Sequence, residues 1–218
     1  MKFSSKKGEI ILNVKEYVIN WKNEFLRHKY LIGISIIFLI VSSILDYLSG
    51  TYTNRVGAAI APDLILELIP PIDLEFVFTY GYLFVLFIFF AYPLFFKPKE
   101  IHEVISQFSL LVMIRSFFIC FTHLKAPVDA IVVEFPWLIS HLSFHNDLFF
   151  SGHTAFPFLG FLLFQESKIK YFFLAASIIM GITVLLMHVH YSIDVFSAFF
   201  ISYGSYKIGK WFLKLVRK

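Results

Sequence analysis

Six long apolar runs limit the folds that this chain can adopt. They lie near Tyr30–Leu48, Phe76–Phe96, Val104–Phe121, Leu148–Phe164, Tyr171–Met187 and Tyr191–Phe212. A helix needs about 20 apolar residues to cross a bilayer, and these runs have suitable lengths. The third and fourth runs contain polar residues, which weaken the prediction of a span there. Transmembrane β-strands would instead show alternating segments of about ten residues, which these continuous runs do not. The sequence therefore predicts an all-α fold, an integral membrane bundle of six transmembrane helices.

The composition agrees with a membrane protein. Of the 218 residues, 58% are hydrophobic, which is above the range of soluble domains. Too many charged and polar residues precede the first run for a cleaved signal peptide, so we expect a retained signal anchor. Cys120 is the single cysteine, so no internal disulfide can form. We divide the chain into an N-terminal cytosolic segment (1–29), a six-span domain (30–212) and a basic tail (213–218).

The positions of Lys and Arg predict the orientation of the bundle. Sixteen of the 19 fall before the first run, after position 206 or in the loops near 97–99 and 168–170. Arg55 and Lys125 lie in the opposite loops, and Arg115 lies within a run. Because cytosolic loops are enriched in Lys and Arg, both termini should be cytosolic. The net charge of +4 is then a topology signal, and we expect no nucleic-acid partner.

The N-terminal segment has apolar residues at roughly helical spacing, with lysines between them. These residues are Ile10, Ile11, Val14, Val18, Trp21 and Phe25. The pattern predicts an amphipathic helix lying on the cytosolic interface, and a frayed basic tail is the alternative.

Ionisable residues stand near the start of two runs, in Phe150-Ser-Gly-His-Thr154 and His190-Tyr-Ser-Ile-Asp194. An ionisable group at membrane depth costs at least ~2.5 kcal/mol, so it usually marks a functional site. The spacing of His190 and Asp194 predicts one shared helix face, where the carboxylate orients the imidazole. Such an imidazole can attack phosphorus while His153 protonates the leaving group. The segments thus predict phosphoryl transfer through a phosphohistidine, and a purely structural His190–Asp194 pair is the alternative.

Three nearby residues are candidate phosphate or substrate ligands. With cytosolic termini, Arg115 lies at the depth of the two histidines, where its guanidinium could grip phosphate oxygens. Alternatively, it reaches the outer headgroups as an anchor. Ser151 could bind substrate or cap a helix. Asp147 could bind substrate or simply be solvated in its loop.

A metal site is a further alternative. His188-x-His190 with Asp194, His153 and Asp147 could hold a divalent cation. Residues two apart point in different directions on a helix, so this spacing is a weak signal. We therefore predict no metal and no other cofactor, and we interpret His188 and His145 as bystanders.

At these residues the chain resembles the sphingomyelin synthase branch of the lipid phosphate phosphatase/phosphotransferase superfamily. Arg115-Ser-Phe-Phe-Ile-Cys-Phe-Thr-His-Leu-Lys-Ala-Pro127 is similar to the branch's arginine-bearing motif. Asp147-Leu-Phe-Phe-Ser-Gly-His-Thr154 resembles its Asp-x-x-Phe-Ser-Gly-His-Thr block. His190-Tyr-Ser-Ile-Asp-Val195 resembles its His-Tyr-Thr-x-Asp-Val block. The resemblance covers roughly residues 30–210.

The resemblance implies a role for each of these residues. His190 would be the nucleophile, Asp194 its orienting carboxylate, and His153 the general acid and then the general base. The partners would be two membrane lipids, a glycerophospholipid donor and a ceramide- or diacylglycerol-like acceptor. The short Ile-, Phe- and Lys-rich chain looks bacterial, so we expect an inner-membrane protein with its site on the outer face.

Two departures from the superfamily favour the synthase branch. The phosphatase signature of Lys, six residues, then Arg-Pro is absent, and Thr183 and Val184 stand where a Ser-Arg pair would be expected. Arg115 would then carry more of the phosphate binding. The outer loops Thr51–Glu75 and His123–Asp147 should shape acceptor access. A lipid phosphatase with water as acceptor is the main alternative, and a catalytically silent lipid-binding protein is another.

Overall fold

The computed structural model describes residues 3–56, 59–133 and 146–216. Within them the chain is helical, as predicted, with no strand and one isolated β-bridge between Ala59 and Leu124. The helices are α1 (Phe3–Arg27), α2 (Lys29–Val56), α3 (Leu64–Leu68), α4 (Tyr82–Phe96), α5 (Ile101–Phe121), α6 (Gly152–Leu163), α7 (Ile169–Leu186) and α8 (Ser192–Val216). A π-helical turn (Val77–Gly81) leads into α4, and a 3-10 turn (Pro98–Glu100) leads into α5.

In the described residues, four helical segments are long and apolar enough to cross a membrane. They are Lys29–Val56, Val77–Phe96, Pro98–Phe121 and Ile169–Leu186. This supports a multi-span membrane protein, but it does not confirm the predicted six spans. The fourth run forms only the 12-residue α6, because residues 148–151 ahead of it are not helical. The sixth run forms α8, whose serines, tyrosines and lysines lower its hydropathy.

A seam of small polar residues joins α2 to α5. Ser35, Ser42 and Ser49 recur every seven residues along α2 and are all buried. Ser35 Oγ donates to the carbonyl of His102 on α5, at 2.9 Å. Small residues allow helix backbones to approach closely, and a seven-residue repeat keeps one face of a helix against its partner. The seam therefore explains how a helix with mostly lipid-exposed side chains packs along α5.

Aromatic rings fill the centre of the bundle. Phe89, Phe164 and Phe173 are almost fully buried, with ring centroids between 5.3 and 6.1 Å apart. Gly160 on α6 faces Phe173 on α7 so closely that a Cβ there would lie 2.6 Å from the ring. The close approach of α6 and α7 thus depends on the missing side chain at Gly160.

Helix α1 docks on the end of α4. Trp21 Nε1 donates to the carbonyl of Leu94 at 2.6 Å, and the Tyr17 hydroxyl donates to the carbonyl of Phe95. These are last-turn carbonyls, which have no partner within their own helix. Phe25 packs on the cluster that contains Ile32 and Ile101. A helix at the predicted N-terminal position is therefore present, and its place at the membrane interface stays a prediction.

Charged side chains gather at one end of the bundle. Lys97, Lys99, Glu103 and Lys210 help to line a cleft of about 690 Å³. Arg115 lies twelve residues farther along α5 than Glu103, which corresponds to roughly 18 Å at about 1.5 Å per residue. The lysine-rich end is thus well separated from the end that carries the ionisable residues discussed next.

Candidate active site

The His190–Asp194 pair forms, although not on one helix face as predicted. Helix α8 begins at Ser192, so His190 lies in the turn before it and Asp194 lies in its first turn. The distance from His190 Nδ1 to Asp194 Oδ2 is 3.3 Å. The same oxygen accepts the amide of Tyr191 at 3.0 Å, as an acidic residue near a helix N-terminus commonly does. Asp194 is fully buried, so its carboxylate fixes the imidazole away from water.

His153 reaches the same region from α6. It lies in the first turn of that helix, and Phe78 and Tyr82 each place their ring centroid 4.0 Å from the imidazole. The imidazole also lies beside the backbone of Phe78, and His190 and Arg115 are near enough for their charges to act on it. The structure thus brings together the two histidines that the sequence singled out.

The backbone joins the two segments directly. The amide of Ser151 donates to the carbonyl of Asp194 at 3.1 Å, one residue before α6 begins. Ser151 is fully buried, and its hydroxyl accepts a hydrogen bond from Thr154 Oγ1 at 3.3 Å. It precedes α6 as the N-cap residue but makes no side-chain cap. The predicted substrate contact of Ser151 stays a prediction, and its observed role is to hold the segment of His153 against Asp194.

Arg115 and Asp147, both predicted to bind phosphate or substrate, bind each other in this structure. Arg115 Nη1 lies 2.7 Å from Asp147 Oδ2, and Nη2 donates to the carbonyl of Asp147 at 3.1 Å. Nε donates to the carbonyl of Phe150 at 2.9 Å. The guanidinium fork therefore holds the backbone of residues 147–150, immediately before His153. A phosphate-binding role for either residue stays a prediction.

Sequence reasoning missed three residues of this region. Asp46 on α2 lies 3.6 Å from Arg115 Nη1, as a second carboxylate on the same guanidinium. It is an acidic residue within an apolar run, which is the signal that could have found it. Phe78 lies in the π-helical turn and Tyr82 directly follows it, and such turns are often found at functional sites. Nothing in the sequence distinguishes these two rings from the many other aromatic residues.

His188, which the sequence analysis interprets as a bystander, lies inside the structure. It is almost fully buried, its φ is 55°, and its Nδ1 lies 3.2 Å from Asp129 Oδ2. The contact places the loop after α5 beside the turn before α8. Among the described residues, no group of three or more His, Cys, Asp or Glu side chains could hold a metal ion. The alternative metal site is therefore not assembled here, while His145 lies outside the described residues.

A known protein family matches the part of the chain that carries both motif segments. Residues 146–210 match the family model described as PAP2 superfamily C-terminal, and this stretch contains both motif segments. The chain is also 26% identical, over 159 residues, to an uncharacterized protein of Methanocaldococcus jannaschii. That alignment covers 67% of this chain and 65% of the relative, which is less than two thirds of the relative's length. No solved structure matches the chain.

The family match covers the half of the site that carries His153, His190 and Asp194, while Arg115 and Asp46 lie outside it. It supports an enzyme that acts on phosphate esters, and it does not separate the sphingomyelin synthase branch from others. On its motif-bearing segments, the chain is thus similar to the lipid phosphatase/phosphotransferase superfamily.

Proposed function

We propose that this chain is a membrane lipid phosphotransferase of the sphingomyelin synthase-like type. It moves a phospho-head-group from a glycerophospholipid to a ceramide- or diacylglycerol-like hydroxyl. The observation that supports this most is the buried contact between His190 Nδ1 and Asp194, with His153 arriving from another helix. One buried imidazole oriented by a carboxylate, beside a second imidazole, provides a nucleophile and a proton carrier.

The first step loads the phosphoryl group on His190. Because Nδ1 faces Asp194, Nε2 is the nitrogen left to attack phosphorus. The Nε2–P bond forms as the ester P–O bond of the donor breaks, and His153 gives its proton to the departing diacylglycerol oxygen. Asp194 stabilises the positive charge that develops on the His190 ring.

The second step unloads the group onto the acceptor. His153, now neutral, removes the proton of the acceptor hydroxyl, whose oxygen attacks phosphorus while the P–N bond breaks. Both residues return to their starting states, and the two steps need no metal. The amide groups at the start of α6 and the oriented dipole of that helix favour a phosphate close to His153.

A lipid phosphatase is the second candidate, because the family match supports action on phosphate esters without separating transfer from hydrolysis. The same two histidines would act, with water in place of the lipid hydroxyl. The two activities differ only in whether a lipid hydroxyl or water reaches the phosphohistidine.

The orientation of the site is part of the proposal. Both termini would face the cytosol of a bacterial cell, and the histidines would lie near the outer face of its inner membrane. The separation of the lysine-rich end from His153 and His190 favours this arrangement.

Purified protein with a phosphate-labelled phospholipid donor and either ceramide or diacylglycerol tests the proposal. We expect mainly a new labelled phospholipid, and an acid-labile label on the protein when the acceptor is omitted. His190→Ala should abolish both, and His153→Ala should lower turnover by orders of magnitude. The matched control is His123→Ala, since His123 is also an outer-side histidine but is exposed.

Two outcomes would count against the proposal. If free head-group phosphate or orthophosphate dominates despite abundant lipid acceptor, the phosphatase takes its place. If the protein never carries an acid-labile label and His190→Ala remains active, the phosphohistidine mechanism is wrong. The double histidine variant should be little worse than either single variant, because members of one catalytic unit act non-additively.

A further inference from the structure

A short outer segment with α3 is fixed beside the candidate site. Asp63 Oδ1 caps α3 by accepting the amides of Ile65 and Leu66, at 2.9 and 3.2 Å. Its other oxygen, Oδ2, accepts the amide of Ser192 at 2.6 Å. Ser192 is two residues from His190, so one carboxylate sets the position of α3 relative to the nucleophile.

Two further contacts fasten the same segment. The hydroxyl of Tyr191 accepts the amide of Ala61 at 3.2 Å and donates to the carbonyl of Lys125 at 2.8 Å. The amide of Ile72 donates to the carbonyl of Leu186 at 2.7 Å. Leu66 is buried in a cluster with Tyr191. The segment is thus held on both sides of α3, and it is not a loosely attached loop.

The face of α3 opposite Leu66 is apolar and uncovered. Leu64 and Leu68 lie one turn apart and are 72% and 74% exposed. Phe76, also 74% exposed, directly precedes the membrane-crossing segment Val77–Phe96. We call Leu64, Leu68 and Phe76 the α3 edge. Phe76 adjoins one membrane-crossing segment, and the amide of Ile72 bonds to Leu186 at the end of another, so the chain segment with α3 lies at the ends of two spans.

The charged residues of α3 indicate which surface contacts the α3 edge. Glu67 is exposed between the two leucines along the chain, while Asp63 turns inward to Ser192. A charged side chain is costly inside the hydrocarbon core, so a helix that carries Glu67 beside exposed leucines fits the lipid–water interface better than the bilayer interior. Asp63 holds the start of α3 against Ser192, two residues from His190, so α3 is a close neighbour of the candidate site.

We propose that the α3 edge is immersed among the acyl chains of the outer leaflet and admits the lipid substrate sideways to His190. The membrane contact stands on the exposure and fixation of α3, whereas the substrate entry rests on the proposed function. The partner of the α3 edge is thus a lipid surface, and the contact is made by the acyl chains of the lipids and not by their head groups.

A probe experiment tests the membrane contact without any activity. In a Cys120→Ser background, a polarity-sensitive fluorophore is attached to cysteine at position 64, 68 or 129, in vesicles that contain lipids brominated on the acyl chains. Positions 64 and 68 should show blue-shifted emission and strong quenching. Asp129, which is exposed on the other outer loop, provides the water-facing control. Equal, water-like emission at all three positions would overturn the proposal.

A kinetic experiment tests the entry route. Leu64→Ser/Leu68→Ser should lower activity on long-chain donor in vesicles by about tenfold, since both side chains lose apolar contact with lipid. Activity on a monomeric short-chain donor should not change. Val128→Ser, at an 83% exposed position of the other outer loop, is the control. An equal loss on both donors would mean that the substitutions damage the site, which overturns lipid entry. If the parent protein acts on neither donor, the proposed function fails, while the probe experiment still decides the membrane contact.

Discussion

Replacing Arg115 by leucine distinguishes the two roles that this residue can have. In the structure the guanidinium donates to Asp147 and to the carbonyl of Phe150, and it lies near Asp46. If its main role is to hold residues 147–150, its loss should destabilise the fold. If its main role is to grip phosphate, its loss should weaken substrate binding and leave the fold intact.

The burial of the pair sets the magnitude of the effect. The side chains of Arg115 and Asp147 are 9% and 15% exposed. Removing one partner of a buried ion pair costs about 3–5 kcal/mol, because the remaining charge is left without compensation. For a chain of this size each kcal/mol corresponds to roughly 2–4 °C, so Tm should fall by about 6–20 °C.

Thermal unfolding in detergent measures this difference. Arg115→Leu should lower Tm, and adding Asp147→Asn should restore part of the loss because the stranded charge is removed. Arg55→Leu, at an exposed arginine in the last turn of α2, is the control and should leave Tm nearly unchanged. An Arg115→Leu variant with the parental Tm and a raised KM for the donor lipid would refute the positioning role and favour the phosphate grip.

Three other predictions follow from packing, titration and metal use. Gly160→Ala should destabilise the protein by about 1–3 kcal/mol, since its Cβ would press on Phe173. Gly204→Ala, where nothing lies within 4 Å, is the control in the same unfolding assay. Burial acts to raise the pKa of Asp63, but hydrogen bonds, above all from Ser192, hold that pKa below its usual value. Its stabilising contribution is therefore present above the unfolded-state pKa of about 3.9 and is lost as pH falls through the lower folded-state value. Asp63→Asn should thus lower Tm at neutral pH, and the two Tm values should converge in acid; a pH-independent difference would contradict this. Activity should survive EDTA, and a loss restored by one divalent ion would favour a metal site.

The helices with regular apolar patterns could be predicted from the sequence. The runs at Phe76–Phe96, Val104–Phe121 and Tyr171–Met187 correspond to α4, α5 and α7 with small shifts at their ends. In lipid, a helix must hydrogen-bond its own backbone N–H and C=O groups and must present apolar side chains to the bilayer. Both requirements act within one segment of the chain, so they can be recognised in the sequence. The sequence also singled out His153, His190 and Asp194, because ionisable groups are rare in apolar surroundings, and their catalytic roles stay a prediction.

The helix start at the site could not be predicted from spacing alone. The i,i+4 interval suggested that His190 and Asp194 share a helix, yet α8 begins between them. Asp194 accepts the amide of Tyr191, and this favours a helix start at that point over a longer helix. The pair still forms because a residue just before a helix can lie close to one in its first turn.

Contacts through backbone atoms leave little trace in the sequence. Arg115 donates to the backbone carbonyl of Phe150, and the Ser151 amide donates to the backbone carbonyl of Asp194. The side chains of the two accepting residues play no part in these bonds. Asp46 is different, because it lies four residues after Ser42 and three before Ser49, on the helix face that the buried serines mark. Since that face packs on α5, which carries Arg115, the spacing could have suggested the Asp46–Arg115 pair.

The choice between a lipid acceptor and water depends on the surroundings of the two histidines, because both reactions use the same groups. His153 is packed between Phe78 and Tyr82, while Asp63 at the start of α3 accepts the amide of Ser192, two residues from His190. If the edge delivers the acceptor lipid, Leu64→Ser/Leu68→Ser should slow transfer more than hydrolysis. The ratio of orthophosphate or free head-group phosphate to new phospholipid should therefore rise in one reaction mixture, even as total turnover falls. An unchanged ratio would mean that the acceptor reaches His153 by another route, and that the α3 edge does not select between lipid and water.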